Sequence, residues 1–291
     1  MNECPRIAVM IPTLNEAKNI RACLRSLLSQ TIRPAQIIIC DQGSVDQTKD
    51  LASTMLSESD IPFVIVSEAR NPSLGKWNIS FAYWKASQYI TENVDFVACL
   101  EADIVLAHDY YENILKVFSN RYVGMACGAL YPFGFPKSPF PLPEDWRSKN
   151  TWGGNRVYSL ACWLDLTRAV DLRLFSAWDT DHNVLAALRR WRIVQVREAH
   201  SYHPRAINPS RGVAKGIADR YQGYPFWFVL QRAFRDMADL PRLVGYTCMT
   251  FWRGRSPIQK VYRGAIYARL GELFEPLASR PDGELCGVRG K

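Results

Sequence analysis

No stretch of this 291-residue chain reaches the about 18–20 consecutive apolar residues that a membrane-spanning helix needs. Its eight cysteines (4, 23, 40, 99, 127, 162, 248 and 286) include no CxxC pair, and several lie within apolar, strand-like stretches. That pattern argues against a zinc site or a disulfide framework and for reduced, buried thiols in a cytosolic protein. Neither GxGxxG nor GxxxxGK followed by Ser or Thr occurs after any strand-like stretch, so the common glycine loops for nucleotides are missing. The N-terminus, MNECPRIAVMIP, runs straight into a first strand and is expected to leave no room for a signal peptide.

What is present is an ordinary globular composition, 48% hydrophobic and 22% charged. The length fits one large α/β domain, or one domain plus an appendage. Charge is unevenly placed. Residues 201–291 hold fifteen Lys and Arg against seven Asp and Glu, a surplus of eight. The whole chain carries +8, so residues 1–200 are neutral and the last third seeks a negative partner.

The first half alternates strand, turn and helix. Arg6–Glu16 (RIAVMIPTLNE) passes from an apolar strand into a proline and then an Asn-Glu pair. Ile20, Cys23, Leu24, Leu27 and Leu28 then recur at the spacing of one helix face. Gln36–Cys40 reads as a short buried strand ending at DQGSVDQT (Asp41–Thr48). There Gly43 permits a tight turn, and Ser44 is placed to cap a helix carrying Leu51, Met55 and Leu56. Pro62–Ser67 supplies a third strand, about Lys76 to Ile90 a helix, and Asp95–Leu100 a fourth strand ending at Glu101-Ala102-Asp103. This alternation predicts βαβ units and a parallel sheet.

Asn15, Glu16, Asp41, Glu101 and Asp103 then gather at the carboxyl edge, where open α/β sheets bind ligands. Clustered carboxylates repel one another and call for a cation. Hard oxygen ligands suit Mg2+ or Mn2+, which bind through one or two carboxylates while phosphates complete the shell. The first half therefore points to a metal-bridged nucleotide held without a P-loop.

The segments IPTLNE (Ile11–Glu16), DQGSVDQT, EAD (Glu101–Asp103) and WDTDHNVLAALRRW (Trp178–Trp191), in this order and spacing, resemble those of the family 2 glycosyltransferases of GT-A fold. WGGNRVYSL (Trp152–Leu160) is similar to that family's small-residue strand before the catalytic helix. The resemblance covers about residues 6–205. It implies an α/β fold with a mostly parallel, Rossmann-like sheet flanked by helices. The catalytic domain is expected over 1–205, its nucleotide-sugar half at about 1–105 and its acceptor half at about 106–205. Residues 206–291 then form a basic, aromatic-rich, amphipathic helical appendage.

The resemblance further implies that Pro12, Leu14 and Glu16 line the nucleoside site and that Asp41 contacts the base or ribose. Lys76, Glu101 and Ala102 join that cofactor-binding set. Asp103 matches the second aspartate of the family's DxD motif, the ligand of the divalent metal, and His203 falls where some members supply a histidine to it. Asp179 matches the aspartate of the family's ED pair, the general base. Two positions depart from the pattern. Glu101 is one methylene longer than the usual Asp, which leaves direct metal ligation open against a role toward a ribose hydroxyl or a metal-bound water. Trp178 replaces the Glu of the ED pair, and Asp181, two residues beyond Asp179, leaves the choice of base open.

Each assignment has a plainer alternative. Asp41 can simply close an Asx turn, Glu101 and Asp103 can end a strand, and Asp179 and Asp181 can complement a helix dipole. Lys76 can be a solvated residue at a helix start. His200 and His203 are three apart, so on a strand they point to opposite faces and at most one is a ligand. Tyr131–Trp146 carries five prolines and reads as a semi-rigid loop, either a lid or a structural surface loop.

The expected activity is inverting, metal-dependent transfer from a nucleotide-diphosphate sugar, UDP favoured over GDP, to a hydroxyl of a lipid-linked or glycolipid acceptor. A polyprenyl phosphate is the alternative acceptor. A sugar-phosphate nucleotidyltransferase and a non-catalytic sugar-nucleotide-binding protein are the competing classes. Nine aromatics interleave with arginines between Tyr221 and Trp252. Such a tail suits attachment in the interface of the cytosolic membrane face. A helical subdomain or an oligomer contact is the alternative, and no recognised nucleic-acid module is visible.

Overall fold

The computed structural model describes residues 4–69, 78–91, 93–132, 153–169, 178–203 and, toward the C-terminus, 213, 216–217, 220, 226–227, 229–230 and 240–248. The chain divides into two compact units, Met1–Pro209 and Ser210–Lys291.

The first unit is built on an eight-stranded sheet with the order β3-β2-β1-β4-β7-β6-β8-β5. The strands are β1 (Ile7–Thr13), β2 (Gln36–Asp41), β3 (Phe63–Ser67), β4 (Phe96–Leu100), β5 (Val105–Leu106), β6 (Val123–Pro132), β7 (Asn155–Ser159) and β8 (Arg192–His203). The helices are α1 (Ile20–Leu28), α2 (Thr48–Ser57), α3 (Asn78–Ser87), α4 (Tyr110–Lys116), α5 (Leu160–Ala169) and α6 (Trp178–Leu188). Every residue of β1 and β2 is buried, as expected of parallel strands covered on both faces. Helix α1 buries Ile20, Cys23, Leu24 and Leu27 against them.

β3, β2, β1 and β4 pair in parallel, as the strand–helix alternation predicts. Beyond β4 the sheet is mixed. β7 runs antiparallel to both β4 and β6, β6 and β8 are parallel, and β5 closes the edge antiparallel to β8. One local expectation is corrected. Helix α2 begins at Thr48 with Gln47 at its N-cap and no side-chain cap. Ser44 lies three residues too early, and its hydroxyl instead accepts the Asn15 N–H at 2.9 Å.

The β6–β8 ladder jumps between Gly128↔Val196 and Ala129↔His200, so β8 carries extra residues there. Gly128 makes this possible: a Cβ at that position would stand 2.1 Å from the Ala199 carbonyl oxygen and 2.4 Å from the Tyr110 ring. Gly128→Ala is expected to cost about 3 kcal/mol of stability, the upper range for overpacking against backbone, and denaturant melts would read the loss. Helix α6 ends in a Schellman turn, with Arg190 N–H bonding Ala187 O and Trp191 N–H bonding Ala186 O. Arg190 holds the left-handed φ of 65° that this turn requires. The turn leads directly into β8, against which α6 packs, so the first turn of α6 lies toward the edge where β8 ends. Asp165 of α5 ties the two helices by accepting from Arg189 Nε at 2.6 Å and Trp191 Nε1 at 2.8 Å.

In the second unit, helical residues cross backbone to backbone. A Cβ on Gly216 would lie 1.9 Å from Arg242 O, and one on Gly245 1.9 Å from Val213 O. The Arg220 guanidinium sits 5.3 Å above the Tyr246 ring, and Phe226, Trp227 and Val244 are exposed. Among the described residues, no helix is long and apolar enough to cross a membrane.

Candidate active site

The strand order reverses at β1: β2 and β3 lie on one side of it, β4 on the other. Such a switch point opens a crevice at the carboxyl ends. Here the β1–β4 ladder stops at Met10↔Cys99, whereas β1–β2 pairing continues to Thr13↔Asp41. Pro12, buried and without an N–H, sits just past the point where β1 and β4 part. The parallel strands β6 and β8 end at this edge, and the antiparallel β7 begins there.

The loops that follow β1 and β2 are fastened to each other. Asn15 takes φ 55°, in the left-handed region. Its side-chain oxygen accepts the Val45 N–H at 2.9 Å. The Glu16 N–H donates to Thr48 Oγ1 at 2.7 Å and the Ala17 N–H to Asp46 Oδ2 at 3.1 Å. Asp41 is fully buried. Its carboxylate accepts from Thr13 Oγ1 at 3.1 Å, Gly43 N–H at 3.2 Å and Ser44 N–H at 3.0 Å, which is the Asx turn. Glu16 accepts from Asn19 Nδ2 at 2.8 Å, and Leu14 is half-buried.

The acidic end is tighter. Glu101, Asp103 and His203 bring one ligand atom each to within 4.8 Å of one another. His203 Nε2 stands 3.4 Å from Asp103 Oδ2, and Asp103 is only 7% exposed. The extra methylene of Glu101 thus does not take its carboxylate out of the cluster. His200 faces elsewhere, its ring edge-on to Tyr131 at 5.3 Å, as strand alternation requires. Burial, and then the negative charges of Asp103 and Glu16, push the Cys23 thiol far up. Ala102, buried at 3% exposure, lies between the two carboxylates in sequence.

Gly154, at the start of β7, explains how Glu101 fits. The Glu101 N–H donates to Gly154 O at 2.8 Å. A Cβ on Gly154 would lie 2.9 Å from Glu101 Cδ and 2.7 Å from Ile104 Cδ1. Gly154→Ala is expected to displace the Glu101 carboxyl and weaken Mn2+ binding about tenfold, the scale of a disturbed supporting contact. Calorimetric titration of Mn2+ in the presence of UDP would measure it.

Of the residues expected from sequence, Pro12, Leu14, Glu16, Asp41, Glu101, Ala102, Asp103 and His203 are all described, and they share this edge. Lys76 and the Asp179 side chain lie outside the described residues; Asp179 falls in the first turn of α6. Asp181 is buried in α6 at 4% exposure. Two polar residues were not among the expected site residues: Arg156, fully buried in β7, and His182, 2% exposed in α6. An apolar strand or helix pattern signals burial without naming partners, so neither stands out in the sequence.

Residues 8–165, more than half of the chain, match Glycosyl transferase family 2, and the chain belongs to that family. It is similar to the O-antigen chain rhamnosyltransferases RfbN of Salmonella typhimurium (31% identical over 128 residues) and WbaN of Salmonella anatum (27% over 130 residues). Each match covers 44% of this chain, and the chain spans only 38% of the length of either relative. Its fold is that of a GT-A enzyme. A mannosyltransferase of Pyrobaculum calidifontis in complex with GDP-Man and Mn2+ superposes with a TM-score of 0.61 at 18% identity, over 93% of this chain and 76% of that one. S. aureus TarS 1-349 in complex with UDP-GlcNAc gives 0.55 at 16% identity, over 89% and 79%.

Proposed function

We propose that the protein transfers a sugar from a nucleoside-diphosphate donor to an acceptor hydroxyl, with inversion at the anomeric carbon. The cluster of Glu101, Asp103 and His203 at the switch point carries this reading. Two carboxylates and an imidazole at such spacing suit Mn2+ or Mg2+, with the donor diphosphate completing the shell. When bound, the ion supplies Lewis-acid neutralisation of the charge that develops on the leaving diphosphate.

The remaining roles fall to the chain itself. The fastened loops at Leu14–Glu16 and Asp41 hold the nucleoside end. Asp179 takes the proton of the attacking hydroxyl. A UDP donor is favoured over GDP, although structural neighbours bind each. The acceptor is a lipid-linked or glycolipid hydroxyl. The basic surplus of residues 201–291, with Phe226 and Trp227 exposed, supports peripheral contact with a cytosolic membrane face.

A thermal-shift panel of UDP, GDP, CDP and their sugar conjugates, with and without Mn2+, tests the donor. A ligand confined to the folded state adds about 2.7 kcal/mol at a hundred times its Kd. Stabilisation by one nucleotide family that depends on Mn2+ supports the reading. A panel with no shift in any condition counts against it.

A further inference from the structure

Arg156 and Tyr158 alternate along β7, with Gly154 two residues before Arg156 just ahead of the strand, and the three continue one side of the pairing. On that side the β4–β7 register sets Cys99 beside Arg156 and Val97 beside Tyr158, and the Glu101 bond to Gly154 continues the same pairing by one row. A polar line therefore runs down the sheet from the acidic cluster: Glu101 over Gly154, then Arg156, then Tyr158. The line leaves the sheet at Tyr158, whose hydroxyl lies 2.6 Å from His182 Nδ1 of α6. His182 is packed edge-on against Tyr158 and Trp163, with ring centroids at 5.6 and 6.0 Å.

The proton positions follow from the inventory of donors. Arg156 Nη1 can only donate, and it does so to Tyr158 Oη at 2.9 Å. The tyrosine's own hydrogen then has His182 Nδ1 as its acceptor, and burying it elsewhere would leave it unsatisfied. His182 is thereby an Nδ1 acceptor that carries its proton on Nε2. Burial, and then the charge of Arg156, hold the imidazole neutral.

We propose that Arg156, Tyr158 and His182 form a positioning relay that fixes helix α6, and with it the base at its first turn, relative to the Glu101–Asp103–His203 cluster. In this role all three act through α6 and not on the reacting atoms. The relay rests on the reading of Asp179 as general base, because it is α6 that the relay aligns. Its parts come from two elements that sequence order separates, and a hydrophobic contact would have filled the same space without fixing an angle.

The test measures nucleotide release from UDP-GlcNAc and from GDP-mannose with Mn2+ present and water as acceptor. It compares wild type, Tyr158→Phe, His182→Ala, His182→Asn and Asp179→Asn. A displacement of about 1 Å at the base costs on the order of a hundredfold, so Tyr158→Phe and His182→Ala are expected to lose about 10- to 100-fold in kcat with donor KM little changed. His182→Asn, whose side-chain oxygen can accept the tyrosine hydrogen, restores kcat to within about fivefold of wild type. A long-range 1H–15N spectrum of the wild-type protein should show His182 as the Nε2–H tautomer between pH 6 and 8.

Three results overturn the relay: an Nδ1–H tautomer, kcat within twofold of wild type in Tyr158→Phe and His182→Ala, or no advantage of His182→Asn over His182→Ala. Asp179→Asn separates the two readings. If it is dead while the relay variants are fully active, the function stands and the relay falls. If it turns over like wild type, the base assignment fails and takes the relay with it.

Discussion

Replacing Asp103 with asparagine is expected to remove metal-dependent donor turnover almost completely. The side chain is nearly buried, it stands 3.4 Å from His203, and it belongs to the only group of three potential metal ligands among the described residues. Asparagine keeps the shape and removes the charge, so the fold should persist. What is lost is an anionic ligand for the ion that offsets the leaving diphosphate's charge. The expected drop in kcat/KM is about a thousandfold, ~4 kcal/mol of barrier at 1.36 kcal/mol per decade. Mn2+ should cease to raise the melting temperature of the variant in the presence of UDP, while the metal-free melting temperature stays close to wild type. A thousandfold loss with Mn2+ binding intact would place the ion elsewhere.

Asp179→Asn is expected to lower kcat by about a thousandfold, within the usual range for a general base, with donor binding unchanged. The acceptor decides this outcome. A hydroxyl must give up a proton as it attacks, and without the carboxylate that proton has no nearby destination. A polyprenyl phosphate arrives already ionised and needs no base, so against such an acceptor the variant would retain near-wild-type turnover. Parallel assays with a glycolipid and with a polyprenyl phosphate therefore read the acceptor class from a single substitution.

How far the sequence reaches is clearest at particular residues. The first half of the sheet is legible because β1 and β2 have unbroken apolar centres, IAVMI and IIIC, and each is followed by an amphipathic helix; β1, β2, β3 and β4 form as that pattern requires. Pro12 was legible as an interruption, and the structure supplies its cause: the β1–β4 ladder ends before it. Asn15 and Glu16 read as ligand groups, yet each also ties its loop to the one at Ser44–Thr48. Local chemistry cannot tell a residue that holds a loop from one that holds a substrate.

Ser44 failed as a helix cap because Asn15, twenty-nine residues earlier, takes its hydroxyl. The direction of β7 and the jump in the β6–β8 register depend on pairings far apart in sequence, so no periodicity reveals them. The same holds for Gly154 and Gly128, whose missing side chains matter only once Glu101 and Ala199 are packed against them. Glu101, Asp103 and His203 were all named from sequence, although His203 lies a hundred residues beyond Asp103; β8 brings it back to the edge where β4 ends.

The most direct measurement is anomalous scattering at the manganese edge from crystals of the protein with Mn2+ and UDP. One strong peak is expected within the triangle of Glu101, Asp103 and His203. UDP bound with the peak at other side chains, or with no ordered metal at all, would contradict this expectation.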